Sequence, residues 1–395
     1  MLRTTPFHTR TAPLVKGQAW RRWAGHLVAS SYELTHEREY FAIRQAAAVI
    51  DVSPLCKYRI TGRDARRLLN RVVTRNIAKL APGAMVYTPW CDARGKVIDD
   101  GTIARFADGS YRLTSAEPNL RWLGDSAIGL DVAIEDVSQQ FGALAVQGPE
   151  SRALLATLTA ADLAQLRYYR FVEAEVGDVP VMISRTGYTG DLGFELWVRA
   201  ERAPELWDRV CAAGSSYGLQ PAGIWALDLA RIEAGLIMLD VDYTPAPRAL
   251  NDQQLSTPFE LGLGRWVDFA KGPFTGRRAL LAEDARGPAW EFTGLEIDTQ
   301  ELNERCAMRG LPLELPAIAW RGATPIRAGR RQVGYATSGC WSPLLKKYLA
   351  LAHLDRARAR VDAQLRIELL VDRQRQEIAV RRAELPFFDP ERKRA

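Results

Sequence analysis

The chain has 395 residues, of which 47% are hydrophobic and 25% are charged, as in an ordinary globular protein that is too long for one small core. The 53 Lys and Arg residues against 47 Asp and Glu residues give a net charge of +6, but the basic residues are scattered and form no motif interleaved with aromatic residues. A solvated surface is therefore favoured over a nucleic-acid face, and two or three domains are expected.

The usage of cysteine and histidine argues against a disulfide framework and against a metal centre. The five cysteines share no CxxC spacing, and the four histidines are dispersed. The N-terminal segment has no apolar signal core, and no stretch approaches the roughly 18 apolar residues of a membrane-spanning helix. The sequence predicts a cytoplasmic protein without a membrane partner.

The first part of the chain alternates between helical and extended patterns. Residues 32–50 carry apolar side chains at helical spacing, and the following Asp-Val-Ser-Pro turn at Pro54 would stop that helix. Asp64 lies in the first turn of a second helix, which has an apolar stripe. Strands are predicted over residues 57–61, 84–89, 97–106 and 111–115.

Two adjacent carboxylates, Asp99 and Asp100, lie within the predicted strand 97–106. Side chains alternate along a strand, so one aspartate can face a cavity while the other faces outward or caps a turn. Two carboxylates in apolar β-sequence are hard to bury without partners, which makes at least one of them a functional candidate. A solvated edge strand is the alternative.

Residues 185–198 combine a glycine-rich loop around Tyr188 with a strand that carries Glu195. Glycines permit positive φ and a close approach of a ligand to the backbone. An acid between two apolar residues points to the opposite face of the strand from its neighbours. The loop is therefore a candidate binding site, and a hairpin turn with a solvated glutamate is the alternative.

Two helices are predicted in the middle of the chain, over residues 203–217 and 223–239, and a proline-rich segment follows at 240–252. Residues 290–385 contain short strands separated by turn residues, a pattern that suggests a small β-barrel.

Several of these stretches resemble signatures of the glycine-cleavage T-protein family, the tetrahydrofolate-dependent aminomethyltransferases and their demethylase relatives. RTGYTGDLGFEL resembles the family's RTGYTGE loop and GFE strand, and GKVIDDGTI resembles its DD strand. FGALAVQGP, GIWALDLARIEAGL and GYATSGCWSP resemble three further family segments. The resemblance implies an α+β, three-domain, folate-binding aminomethyltransferase-like fold with a C-terminal β-barrel.

The resemblance also implies a tetrahydrofolate site. The glutamate of GFE binds the pterin ring in the family, which transfers to Glu195, and a carboxylate can accept two parallel hydrogen bonds from an aminopyrimidinone edge. The second aspartate of DD approaches the reacting folate nitrogen, which transfers to Asp100 as a catalytic residue acting as a base or electrostatically. The further cofactor contacts that it implies are Tyr111, Leu113, Arg231, Tyr188 and Leu55.

Three more candidates complete the expected site. Tyr32 is a candidate for donating a proton to a leaving group, with a core tyrosine as the favoured alternative. Tyr243 and Trp266 lie in segments expected to form a variable, substrate-side wall. A buried core position is also an alternative for Tyr111, and an ordinary helix salt bridge is one for Arg231.

The chain departs from the family at four places that the site depends on. Pro54 replaces the histidine of the DVSH turn, and Leu227 replaces the arginine of an ARD motif that belongs to the folate site. Gly101 follows the DD pair where the family has a bulky residue, and it would loosen the strand or open space beside the site. Family members carry an aromatic residue after the Gly-Leu-Gly segment, and here Arg265 precedes the aromatic Trp266.

These departures favour a tetrahydrofolate-dependent demethylase that moves a methyl group from a small O-, N- or S-methylated donor to tetrahydrofolate. The donor itself is left open among aromatic ethers, betaines and sulfonium compounds. A glycine-cleavage aminomethyltransferase, with a lipoyl carrier protein as partner, is the second hypothesis, and a non-catalytic folate-binding regulator is the third. The expected domains are 1–140, with part of 240–285, then 141–285 and 286–395.

Overall fold

The structure, a computed structural model, describes residues 2–359 and 363–394. Its strands, in chain order, are β1 Arg3–Thr4, β2 Trp20–Trp23, β3 His26–Ala29, β4 Ala47–Asp51, β5 Cys56–Thr61, β6 Ala84–Cys91, β7 Val97–Arg105, β8 Tyr111–Ser115, β9 Ala133–Asp136, β10 Phe141–Gln147, β11 Phe171–Val176, β12 Val179–Ser184, β13 Gly193–Arg199, β14 Leu219–Pro221, β15 Trp290–Ile297, β16 Trp320–Ala328, β17 Arg331–Ser342, β18 Lys347–Asp355, β19 Leu365–Val371 and β20 Gln374–Ala383.

The α-helices are fewer and mostly short. In chain order they are α1 His8–Thr11, α2 Glu37–Gln45, α3 Ala65–Val72, α4 Leu120–Ser126, α5 Ser151–Ala156, α6 Ala203–Gly214, α7 Ile224–Glu233, α8 Arg277–Arg286 and α9 Thr299–Ala307. Within the described ranges, no helix is long and apolar enough to cross a membrane.

The strands form four sheets. A small N-terminal sheet has the order β1-β3-β2, a five-stranded sheet has the order β6-β7-β8-β5-β9, and a six-stranded sheet has the order β11-β12-β13-β10-β4-β14. The remaining six strands close into a barrel in the order β15-β18-β17-β16-β19-β20. The predicted α+β class and the predicted C-terminal barrel are confirmed, and the division into three domains stays a prediction.

The predicted helix over residues 32–50 is confirmed only for residues 37–45. Helix α2 ends at Gln45, and residues 47–51 form β4, which is buried throughout and pairs with β10 on one side and β14 on the other. A short apolar run suits a central strand as well as a helix, and the available pairing partners decide the outcome. A strand from the predicted first domain therefore completes the six-stranded sheet.

Helix α7 is shorter than the predicted helix over 223–239. It ends at Glu233, and Gly235 then takes a φ of +64°, a left-handed conformation that glycine adopts without steric cost. The segment after Gly235 is free to turn toward the five-stranded sheet. Tyr243, farther along this segment, reaches Asp100 of β7.

The position of Gly101 is explained by the close approach of β8. A Cβ atom at Gly101 would lie 1.9 Å from the carbonyl oxygen of Thr114 on the neighbouring strand. The expected opening of space beside the site is therefore wrong, because the glycine lets two backbones meet.

We expect Gly101→Ala to lower the free energy of unfolding by about 2–3 kcal/mol through overpacking against β8. Gly124→Ala is the matched control, because a Cβ atom at Gly124 in α4 has no heavy atom within 4 Å. That variant is expected to be neutral or stabilised by up to about 1 kcal/mol. Urea denaturation measures both, and equal stabilities of the two variants would contradict this explanation.

Candidate active site

A cavity of about 1240 Å³ opens where the five-stranded sheet, the six-stranded sheet and the segment after α7 meet the end of the barrel. Pockets for small ligands usually measure roughly 300–1,000 Å³, so this one can hold an extended cofactor together with a second small molecule. Its wall combines carboxylates, aromatic rings and exposed backbone. The predicted site residues that line it are Leu55, Asp100, Tyr188, Glu195 and Trp266.

Asp100 presents its carboxyl group to this cavity from β7. The hydroxyl of Tyr87 donates to Oδ2 at 2.8 Å, and that of Tyr243 donates to Oδ1 at 2.5 Å. Burial raises the pKa of Asp100, and the two phenol hydrogen bonds oppose that rise. The group therefore holds a proton at a higher pH than a free aspartate does.

Asp99 points to the other face of the sheet and organises a turn. Its Oδ2 accepts hydrogen bonds from the backbone N–H of Glu117 at 3.1 Å and from the side-chain amide of Asn119 at 2.8 Å. Its side chain is fully buried. The two adjacent aspartates thus separate into a cavity-facing group and a turn-organising group, as the alternation of the strand predicts.

Glu195 lines the cavity from β13, and it is not the solvated glutamate of a hairpin turn. The hydroxyl of Thr186 donates to its Oε2 at 2.9 Å. Burial raises the pKa of Glu195, whereas the Thr186 hydroxyl and then the positive charge of Arg112 lower it. The Glu195 carboxylate therefore accepts the Thr186 hydroxyl and faces the cavity beside the buried Arg112.

The glycines of the loop make room for a buried amide beneath it. Cβ atoms at Gly187 and Gly193 would lie 2.0 and 2.3 Å from the side chain of Gln147. That side chain donates to the carbonyl oxygens of Thr186 and Phe194 and accepts from the Thr189 hydroxyl. The loop therefore packs around the Gln147 side chain, which fixes the position of Thr186. The Thr186 hydroxyl in turn fixes the Glu195 carboxylate.

Sequence reasoning missed two groups that shape the site, Tyr87 and Arg112. Arg112 is buried below the cavity, with its guanidinium 4.2 Å from the ring centre of Trp197, and burial lowers its pKa to about 10. The alternation of side chains along β8 is the signal for Arg112. Tyr111 and Leu113 belong to the apolar face, so Arg112, between them, points to the opposite face.

Two predicted pterin contacts, Tyr111 and Leu113, do not line the cavity in the described part of the chain. Both are buried in the core below the five-stranded sheet, packed with residues of α3. Tyr111 and Leu113 lie on the core-facing side of β8. The side chains on its other face, those of Arg112 and Thr114, point toward the site. For Tyr111 the core alternative fits the observed position.

Arg231 is fully buried behind the wall and contacts carboxylates of the protein itself. Its Nε donates to Asp228 at 2.8 Å, and its Nη1 donates to Asp242. Because its guanidinium faces these two carboxylates, the salt-bridge alternative fits the structure and a direct cofactor contact does not.

Two predicted site residues, Tyr32 and Tyr243, do not form part of the cavity wall. Tyr32 is buried in a small cluster with Val15 and Ala29 near the N-terminal sheet, so its hydroxyl does not reach the cavity. Tyr243 is also buried, and its hydroxyl is used by Asp100. It supports the carboxylate and does not form the cavity surface.

The described residues contain no group of three or more His, Cys, Asp or Glu side chains arranged to hold a metal ion. All five cysteines are free thiols. Asp100 and Glu195 line the cavity together with the phenols of Tyr87 and Tyr188, and the buried Arg112 lies beside Glu195.

A large cavity with a buried carboxylate on its wall is an arrangement typical of an enzyme. The family model described as the GCVT N-terminal domain matches residues 8–271, and the glycine cleavage T-protein C-terminal barrel domain matches residues 308–389. The chain belongs to the glycine cleavage T-protein family. This confirms the predicted family and the predicted one-carbon transferase class.

Curated relatives carry two kinds of name. The aminomethyltransferase of Caldanaerobacter subterraneus subsp. tengcongensis is 34% identical over 337 residues, which cover 83% of this chain and 82% of that protein. The trimethylamine-oxide aldolase of Ruegeria pomeroyi is 34% identical over 411 residues, which cover 100% of this chain and 48% of that protein. This chain thus corresponds to about half the length of the aldolase.

Among solved structures, the glycine cleavage system aminomethyltransferase T from Bartonella henselae has the same fold. The TM-score is 0.82 at 23% sequence identity, over 98% of this chain and 99% of that one.

We expect the stability of Asp100→Asn relative to the wild type to increase as the pH rises from about 4 to 7. The pKa of Asp100 is raised in the folded state, so ionising it costs stability as the pH rises from the unfolded value of about 4 toward the folded value. Asparagine cannot ionise and does not incur this cost, whereas its amide nitrogen cannot accept the second phenol hydrogen bond at any pH, so the pH-dependent gain should vanish below about pH 4. Urea denaturation at several pH values measures the difference, and an advantage that grows as the pH falls would contradict it.

Proposed function

We propose that this protein is a tetrahydrofolate-dependent methyltransferase that moves a methyl group from a small O-, N- or S-methylated donor to tetrahydrofolate. The observation that carries the proposal is the pairing of two carboxylates in one cavity: Asp100, whose proton affinity is raised, and Glu195, which faces the same space. The first is suited to proton handling and the second to binding.

The described residues fit tetrahydrofolate. The Glu195 carboxylate lines the cavity, accepts the Thr186 hydroxyl on Oε2, and can accept an N–H of an aminopyrimidinone edge from the cavity side. Tyr188 and Leu55 add aromatic and aliphatic surface to the same wall. When bound, tetrahydrofolate supplies a nucleophilic pterin nitrogen.

The chain's own residues orient this nitrogen and manage its charge. Asp100 accepts the proton that a pterin nitrogen releases or stabilises positive charge that develops on it. Tyr87 and Tyr243 fix the carboxylate by donating to both of its oxygens, and their own pKa values are raised well above normal by burial and by Asp100, so they remain donors. Preorganised groups of this kind need no reorganisation during the reaction.

Two observations favour a methylated small molecule over an aminomethyl group on a carrier. Leu227, an apolar residue, lines the cavity at the position of the arginine in the family's ARD motif. Trp266 stands against Tyr87, with ring centres 6.2 Å apart, and offers an aromatic surface to a methyl-bearing donor. The relation to a trimethylamine-oxide aldolase over the whole chain supports the same class.

The test is turnover with purified protein, tetrahydrofolate and a panel of methylated aromatic ethers, betaines, amine oxides and sulfonium compounds. Methyl-tetrahydrofolate is followed by mass. We expect Asp100→Asn to lower kcat by about 10²- to 10⁴-fold, the usual contribution of a proton-transferring group, with little change in tetrahydrofolate affinity.

Glu195→Gln is the matched binding variant. It should weaken tetrahydrofolate binding by about tenfold or more, since losing a charge-assisted hydrogen bond costs about 1.5–3 kcal/mol, and should change kcat less. Glycine-cleavage activity with a lipoyl carrier would instead favour the aminomethyltransferase. Tight tetrahydrofolate binding without turnover in either assay would favour the non-catalytic regulator, and absence of tetrahydrofolate binding would refute all three.

A further inference from the structure

The loop after α7 is fixed by one carboxylate, Asp242, that the function described above does not use. Its Oδ2 accepts from the backbone N–H of Met238 at 2.8 Å and from the Arg231 guanidinium. Its Oδ1 accepts from the hydroxyls of Thr337 at 2.5 Å and Ser338 at 2.9 Å. Both oxygens are therefore saturated with donors, as a fully buried carboxylate requires.

The two hydroxyls reach Asp242 because strand β17 is irregular there. Ala336 pairs with Ala352 and Ser338 pairs with Leu351, so Thr337 is an extra residue in β17. In a regular strand the side chains of residues 337 and 338 point to opposite faces. A bulge re-aims side chains, and this one directs two consecutive hydroxyls at the same oxygen atom.

A third barrel residue holds the backbone of Asp242. The Nε2 atom of His353 lies 2.7 Å from the carbonyl oxygen of Asp242, so Nε2 carries the proton in that bond. The His353 ring is stacked on Tyr335, with ring centres 5.2 Å apart. Side chain and backbone of Asp242 are thus both fixed to the barrel.

The residue next to this anchor is Tyr243, which donates to Asp100 at 2.5 Å. A chain of contacts therefore runs from the bulge of β17 through Asp242 to Tyr243 and ends on the carboxyl group that faces the cavity. A shift of Asp242 by a few tenths of an ångström would lengthen the phenol bond, because hydrogen bonds weaken steeply with distance and angle.

We propose that Thr337 and Ser338 are positioning residues: by fixing Asp242 they hold the Tyr243 hydroxyl on Asp100 and so set the proton affinity of that carboxyl group. This extends the proposed function, since it assigns to the barrel a part in tuning Asp100. It concerns groups that lie outside the cavity wall and act only through Asp242 and Tyr243.

The test measures Asp100 itself, by carbon NMR titration of protein labelled at the aspartate carboxyl carbon, with Asp100→Asn identifying the resonance. Tyr243→Phe should raise the pKa of Asp100 by about one unit, which corresponds to the loss of one hydrogen bond of about 1.4 kcal/mol to a charged group. The double variant Thr337→Val/Ser338→Ala should raise it in the same direction. Combining all three substitutions should add nothing to the effect of Tyr243→Phe.

Ser342→Ala is the matched control. It also removes a buried hydroxyl of β17 that donates to a carboxylate, at 2.5 Å, but that carboxylate is Glu233, which does not touch Asp100 or Tyr243. It should cost stability without moving the Asp100 titration. Ser338→Ala alone, which keeps the Thr337 hydroxyl, should give a smaller shift and covers the case in which the double variant does not fold.

An Asp100 titration that stays at the wild-type position in the bulge variants, or that moves equally whether or not Tyr243 is present, would overturn the proposal. The titration requires neither tetrahydrofolate nor turnover. Failure of the proposed function would show as absent binding or turnover in the wild-type protein, so the two failures are distinguishable.

Discussion

Helix α7 is buried along its length although it carries three charged side chains, and much of the architecture follows from this constraint. Burying an unpaired charge costs several kcal/mol. Asp228 and Arg231 pair with each other within the helix, and each of these two and Glu233 also meets an opposite charge from another element. The partners are Arg321 of β16, Asp242 of the loop after the helix, and Arg44 of α2. Barrel, loop and N-terminal region are therefore joined to one helix by charge pairing, and the cavity lies beside that joint.

The two carboxylates to which the proposed function assigns roles lie on rigid elements. Asp100 and Glu195 lie on strands of two different sheets, and each accepts hydrogen bonds from hydroxyl groups of buried or half-buried residues. A site made in this way keeps its geometry without a ligand, which favours electrostatic preorganisation. We expect the variable part of the cavity wall, around Leu227 and Trp266, to determine which methyl donor binds.

Local patterns predicted much of the fold and part of the site. The strands around Asp99 and Asp100, the glycine loop before Glu195 and the C-terminal barrel follow from alternation, turn residues and motif resemblance. The strand at residues 47–51 did not, because a short apolar run suits helix and strand alike and only its pairing with β10 and β14 decides. Tyr87 and Tyr243 both donate to Asp100, but they lie 13 and 143 positions from it in the sequence. No local pattern predicts these two hydrogen bonds.

A crystal structure of the protein with tetrahydrofolate would show whether Glu195 and Asp100 contact the pterin. We expect the pterin ring to lie in the cavity with its aminopyrimidinone edge on the Glu195 carboxylate and its reacting nitrogen within hydrogen-bond reach of Asp100, directly or through one water. Tetrahydrofolate bound elsewhere on the protein, or bound in the cavity with neither carboxylate in contact, would contradict it.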